Sequence, residues 1–464
     1  MRKKLKNLKI LKSAKIISLF LLISSLIIFS CCLYCRFLYC PFNSSDVKDD
    51  IKHFSSDEFK GRLCGSIENE RVKDEIQNSF KSYNIAPFSD TYENKFTVTV
   101  PVKNSTNLSF NIIDNNGNVL KHLTPGIDYK EDLLNFRTNN INLSKKDNIE
   151  IFPNSIVINK DNKSFLFYVT FDKNFSFRSS FISTSKYEFA IQINTNTYNE
   201  ILDNLRKGHN LSVNIPYDLT QKEVSNIACI IKGTSKNLPP LILTAHFDHL
   251  GCDSLNNIYN GALDNASGIC FLLNLAKNIS SLPSPKRDII FVALNAEEFG
   301  IIGSRHFAEK YKDSLMGASI INLDMIGAKD YALSLLKSSD SQNKNSNILT
   351  SLENICRKKN IPYNILYEDS SDHAGFSSEY YDSITITQSD MINIHTPRDI
   401  HNKISTKDIN KVYNVIYCEI LSSCYDTEKL FFYKNSILYI FATTSSIFIV
   451  IYFSINIYYK KSLN

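Results

Sequence analysis

The sequence predicts an α/β protein with a mostly parallel central sheet flanked by helices, a β-rich insertion, and an apolar helix at each end. Three observations predict it. From about residue 228 onward, strand-like apolar runs alternate with helical ones. Residues 95–225 carry short alternating runs such as FTVTVPV and SIVIN between Asn, Asp and Gly turns. Two uncharged stretches, Ile16–Cys35 and Asn435–Tyr459, match a bilayer core of ~30 Å in length.

The ends explain the charge. The chain has 464 residues and a formal net charge of +5, from 52 Lys+Arg against 47 Asp+Glu. Arg2, Lys3, Lys4, Lys6, Lys9, Lys12 and Lys15 precede the first apolar run, and Arg36 closes it. Lys434, Lys460 and Lys461 flank the second. Without those eleven, 41 basic residues face 47 acids, so residues 37–433 carry −6. The positive excess marks the flanks of two spans rather than a nucleic-acid surface. Both basic flanks point to the cytoplasm, which places the intervening chain on the far side of a cell membrane. Cleavage after the first segment would instead give a secreted or lipid-anchored form. A lipid bilayer is thus an expected partner, nucleic acid is not, and nothing specifies an oligomeric state.

Between the spans, residues 44–94 form a leading helical segment. Ser and Asp caps precede a helical spacing through Val72, Ile76 and Phe80. Residues 95–225 read as the β-rich insertion, with one helix near TYNEILDNLRKG. Residues 226–424 read as the catalytic unit. NIACIIKG, LPPLILTAHFDH, RDIIFVALNAEE, GASIINLDMIG and DSITITQ contain the strands, ASGICFLLNLAKNI and GSRHFAEKY are helical, and a last helix runs from about Thr406 to Ser423. Of the eleven Cys, Cys31, Cys32, Cys35 and Cys40 lie in or beside the first apolar run, and the other seven show neither CxxC spacing nor a disulfide framework, so zinc-finger spacing is absent.

Five groups of metal-binding type follow those strands, where open α/β sheets place their sites. LILTAHFDHLG ends a strand with His246 and Asp248, two residues apart and so on one side of an extended chain. NGALDNASG puts Asp264 in a tight turn before an apolar helix. ALNAEEFG supplies Glu297 and Glu298, INLDMIG supplies Asp324, and NIHTPRD supplies His395 with Asp399 behind it. Two imidazoles with three carboxylates suit a zinc pair, which clamps both oxygens of a hydrolytic step. HExxH is absent, which excludes the zinc proteases built on that single helix.

The order HxDH, GAxDNASG, EExG, NLDMIG and HTPxD resembles the two-zinc aminopeptidase family, which includes bacterial leucyl aminopeptidases, aminopeptidase Y and glutamate carboxypeptidases. SSDHAGF (370–376) is similar to that family's SDHxPF segment, with Gly375 where Pro is commoner. GRLCGSIENERVKDEI resembles its leading segment, and residues 187–217 resemble the tail of its protease-associated insertion. The resemblance covers about residues 45–424.

The resemblance implies a zinc exopeptidase fold with two Zn(2+) per chain and peptide substrates. It implies that His246 and Asp324 bind one zinc, that Glu298 and His395 bind the other, and that Asp264 bridges them. Asp248 would orient His246. Glu297 would be the proton-transferring base, and the reaction would remove N-terminal residues from extracytoplasmic peptides. Ile394 stands where some members carry an oxyanion-steadying Tyr. Two other readings share this fold: a single-zinc glutaminyl-cyclase-like acyltransferase, and a non-catalytic receptor that has lost its ligands.

Overall fold

The computed structural model describes residues 2–170, 172, 174–342, 344–377, 380–388, 390–426 and 428–463. The strands Ile289–Leu294, Leu241–His246, Ser319–Leu323 and Asp382–Thr387 lie side by side and parallel. LILTAH and IIFVAL are buried at every position. Both faces of this block are covered, so its strands read as continuous apolar runs rather than alternating ones.

One face packs under the helices Ile67–Ser82, Gly268–Ser280, Asn347–Lys359 and Thr406–Cys424, through Val72, Phe271, Leu352 and Val412 among others. Val72, Ile76 and Phe80 are all buried, as their spacing predicts. The other face packs Ile242, Ile290, Val292 and Ile320 against Phe307 of the helix Ile302–Lys310 and against Phe376.

The sheet has nine strands and is mixed, which corrects the expectation of a mostly parallel sheet. Tyr217–Ile231 runs antiparallel to Ile289–Leu294, and Leu333–Lys337 runs antiparallel to Asp382–Thr387. The cause is connection length. A parallel neighbour needs a crossover of a dozen or more residues. Only the short loop after Leu323 precedes Leu333, so that strand turns back.

Glu93–Lys103 and Tyr217–Ile231 pair in antiparallel register from Glu93↔Ile227 to Lys103↔Tyr217. This ribbon leads out to the β-rich segment. There, a five-stranded sheet runs Tyr129–Phe136, Tyr187–Ile193, Lys163–Val169, Ser155–Lys160, Asn148–Phe152. A four-stranded sheet runs Val119–Leu123, Ser109–Ile113, Asn210–Asn214, Asn140–Leu143. Phe110, Leu143 and Val213 of the smaller sheet share one core with Phe165, Phe167 and Ile191 of the larger. The expected helix is Thr195–Lys207, capped by Asn194 and closed by Gly208 at φ 88°.

Arg2–Leu38 and Asn435–Leu463 are helices long and apolar enough to cross a membrane. They pack against each other antiparallel. Ser25 Oγ lies 2.7 Å from Ser445 Oγ and 3.1 Å from Thr444 Oγ1. All eleven cysteines are free.

Candidate metal centre

The carboxyl ends of three central strands converge on one cleft with the turn that carries Asp264 and the loop that carries His395. His246 closes the strand Leu241–His246, and Asp324 follows Ser319–Leu323. Glu297 and Glu298 follow Ile289–Leu294. Asp264 comes from the turn before the helix Gly268–Ser280, and His395 from the loop after Asp382–Thr387. The backbone turns sharply at these points. Ala296, Met325 and His395 adopt left-handed φ values of 62°, 56° and 56°. Non-glycine residues take such values where the surrounding structure demands them.

Five donors form two sets that share Asp264. His246 Nε2 lies 3.4 Å from Asp264 Oδ1 and 3.5 Å from Asp324 Oδ1. His395 Nε2 lies 3.3 Å from Asp264 Oδ2 and 3.4 Å from Glu298 Oε1. These four distances exceed a charge-assisted hydrogen bond. Donors bound ~2.0–2.1 Å from one tetrahedral ion stand about 3.3–3.4 Å apart, so the separations fit ligation. His246 Nε2 and Asp324 Oδ1 are also buried without a hydrogen-bond partner. Buried polar atoms are ordinarily paired, so both are placed to meet an ion. The donor types suit zinc.

The supports are equally specific. Ser371 Oγ donates to Asp324 Oδ2 at 2.6 Å, which leaves Oδ1 for the centre. Asp399 accepts the amides of Leu263 (2.8 Å) and Asp264 (3.0 Å), fixing the turn that presents Asp264. Gly261 sits in that turn at φ 57°, where a Cβ would lie 2.3 Å from the Asp264 carbonyl oxygen. Buried Arg62 donates to the carbonyls of Phe54, Phe247, Asn260 and Gly261. The leading segment thereby braces both the His246 and the Asp264 loops. Asp248 accepts the amides of Glu297 (3.1 Å) and Glu298 (3.2 Å), while its Oδ1 stands 3.7 Å from His246 Nδ1. In this geometry its direct grip is on the two glutamates. The imidazole Nδ1 lies nearer the Asp248 carbonyl oxygen, at 3.3 Å.

Residues 226–419 match the description of Peptidase family M28. That match spans less than half of the chain. Among curated relatives, the chain is 27% identical over 207 residues to aminopeptidase YwaD of Bacillus subtilis, covering 42% of this chain and 44% of that one. It is 38% identical over 112 residues to a vacuolar membrane protease of Candida glabrata, covering 24% of this chain and 11% of the relative. The chain thus spans less than half the length of these curated relatives. Among solved structures, an aminopeptidase from Aneurinibacillus sp. strain AM-1 superposes with a TM-score of 0.56 at 19% identity, covering 83% of this chain and 94% of that one. BSAP, a zinc aminopeptidase from Bacillus subtilis, gives 0.57 at 17% identity, covering 83% and 96%. At such identities the likeness is one of fold.

The two adjacent glutamates of this segment are driven in opposite directions. Burial raises the Glu297 carboxyl well above the usual range; His246 opposes the rise, while Glu298, Asp372 and Asp324 add to it. Glu298 is buried too, but His395 and His249 hold it well below that range. Neighbouring carboxyls with opposed shifts are suited to different tasks. Burial also pushes Asp372 up to about 7.

Sequence reasoning assigned no role to two residues at this centre. His249 Nδ1 lies 2.9 Å from Glu298 Oε1 and 3.9 Å from Asp264 Oδ2, close enough to join an ion with both. The unequal pair fits a hydrogen bond to Glu298, whereas His395 meets both carboxylates at ligand spacing. The signal for His249 was the second His of HFDH. Ser180 donates to Glu298 Oε2 at 2.5 Å from 118 positions away, and no local pattern marks it.

Proposed function

We propose that the chain is a membrane-anchored, zinc-dependent aminopeptidase that removes N-terminal residues from peptides outside the cytoplasm. The observation that carries this reading is Asp264, whose two oxygens each face a separate donor pair at ligand spacing. His246 and Asp324 would hold one zinc, Glu298 and His395 would hold the other, and Asp264 would serve both. A bound zinc pair would polarise the scissile carbonyl and lower the pKa of water. Glu297 takes the proton from the attacking water and delivers it to the leaving amine. Asp248 fixes the Glu297–Glu298 turn by accepting both amides, so the base and the Glu298 ligand move together.

The two apolar helices support a two-pass anchor with the body of the protein on one side of the membrane. Residues 95–225 are then an insertion of the protease-associated kind, and 44–94 with 226–424 the catalytic unit. The experiment is hydrolysis of aminoacyl-coumarins and N-blocked peptides by the full chain in detergent, with and without phenanthroline. Release from free N-termini, abolished by the chelator and restored by zinc, is expected. Release only from C-termini, or cyclisation of N-terminal glutamine without hydrolysis, would overturn the aminopeptidase reading.

A further inference from the structure

The β-rich segment sends an irregular strap, residues 174–183, back across the cleft. Its contacts fall on the second metal site. Ser180 Oγ donates to Glu298 Oε2 at 2.5 Å, and the Phe181 amide donates to the Glu298 carbonyl at 2.8 Å. The Arg178 amide donates to the His395 carbonyl at 3.0 Å. The Phe177 ring lies 6.0 Å from the His395 imidazole, inclined by 25°. Two elements of the proposed second site are thus gripped by a segment outside the 226–419 region.

The strap is itself held rigidly. Lys130 is wholly buried and donates to the carbonyls of Phe175 (2.6 Å) and Phe177 (2.8 Å) and to the Tyr259 hydroxyl (2.6 Å). Gln192 Nε2 donates to the same Phe177 carbonyl at 2.9 Å. Asp132 accepts the Ser179 amide and hydroxyl at 2.7 and 2.6 Å. Buried Arg178 donates to the Leu250 carbonyl at 2.5 Å, and its guanidinium covers the Tyr259 ring. Buried charges kept only to join two bodies would be a costly adhesive, because desolvation offsets most of their attraction. Here they converge on one short segment whose tip meets a ligand carboxylate.

Glu298 shows the consequence. Ser180 occupies Oε2, so Oε1 is the oxygen left facing His395 and His249. A carboxylate ligand whose free oxygen is hydrogen-bonded is fixed in orientation, and such contacts are typically worth 10–100-fold in metal affinity. We propose that Ser180 is a positioning residue for the second metal site, through which the β-rich segment sets that site's affinity. The inference rests on the two-metal reading above.

The test is a zinc titration of the full chain against a chromogenic chelator, resolving the first and second binding constants. Ser180→Ala is expected to weaken the second zinc by about 10–100-fold and to leave the first unchanged. Ser180→Thr, which keeps the hydroxyl, is expected to hold both zincs as the unaltered chain does. An unaltered second constant in Ser180→Ala, or an equal loss at both sites, would overturn the role of Ser180 and leave the two-metal reading standing. An unaltered chain that binds a single zinc would overturn both.

Discussion

Asp264 carries the centre because each of its oxygens serves a different donor pair. Asp264→Asn keeps the shape but removes the charge proposed to bridge the two zincs. Zinc content is expected to fall below two per chain with the fold retained, as read by elemental analysis and circular dichroism; two tightly held zincs would show that Asp264 does not bridge. Arg62 is the structural counterpart. Arg62→Met strips the donors from four carbonyls in the buried loops around the site. Hydrogen bonds from a charged donor are worth about 1.5–3 kcal/mol each, so a loss of at least about 3 kcal/mol in urea unfolding is expected. Residue types at strand ends made the donors legible, because a shared cleft lies where those ends meet. His249 was harder. Its contact with Glu298 depends on which way the turn after His246 faces, and no spacing encodes that.

At the scale of elements, the central strands were legible because burial on both faces makes them uniformly apolar. The antiparallel edges were not, since a strand's direction depends on its connection and not on its own residues. Asp382 shows how one group ties elements together. It accepts from Ser346 Oγ, the Ile348 amide and Lys337 Nζ at 2.6, 3.0 and 2.9 Å, joining its strand to the start of Asn347–Lys359. Burial alone would raise its pKa, but Ser346, Ile348 and Lys337 together hold it below the usual value. A depressed carboxyl stabilises the fold above the unfolded value near ~4, and that contribution is lost as pH falls through the folded value. Asp382→Asn is therefore expected to lower stability at neutral pH and to flatten its loss as pH falls below about 4. Parallel pH–stability curves for the two chains would remove Asp382 from that account.

For the whole molecule, the sequence separated two apolar ends from a mildly acidic middle, and charge counting sufficed for that. It did not show that the β-rich segment reaches Glu298 and His395. Ser180 and Glu298 lie 118 positions apart, and the strap has no periodicity to read. The antiparallel pairing of the terminal helices predicts that both ends lie on one side of the membrane. Protease added outside intact cells is expected to cut the middle of the chain and spare tags on both ends; loss of either tag would contradict a two-pass anchor. The central claim is that Glu297 moves the proton while the other donors hold metal. Its most direct measurement is the turnover of Glu297→Gln at full zinc loading. A fall of about 10²–10⁴ in kcat, with two zincs still bound, is the predicted result. A variant that keeps both zincs and hydrolyses peptides at the rate of the unaltered chain would contradict it.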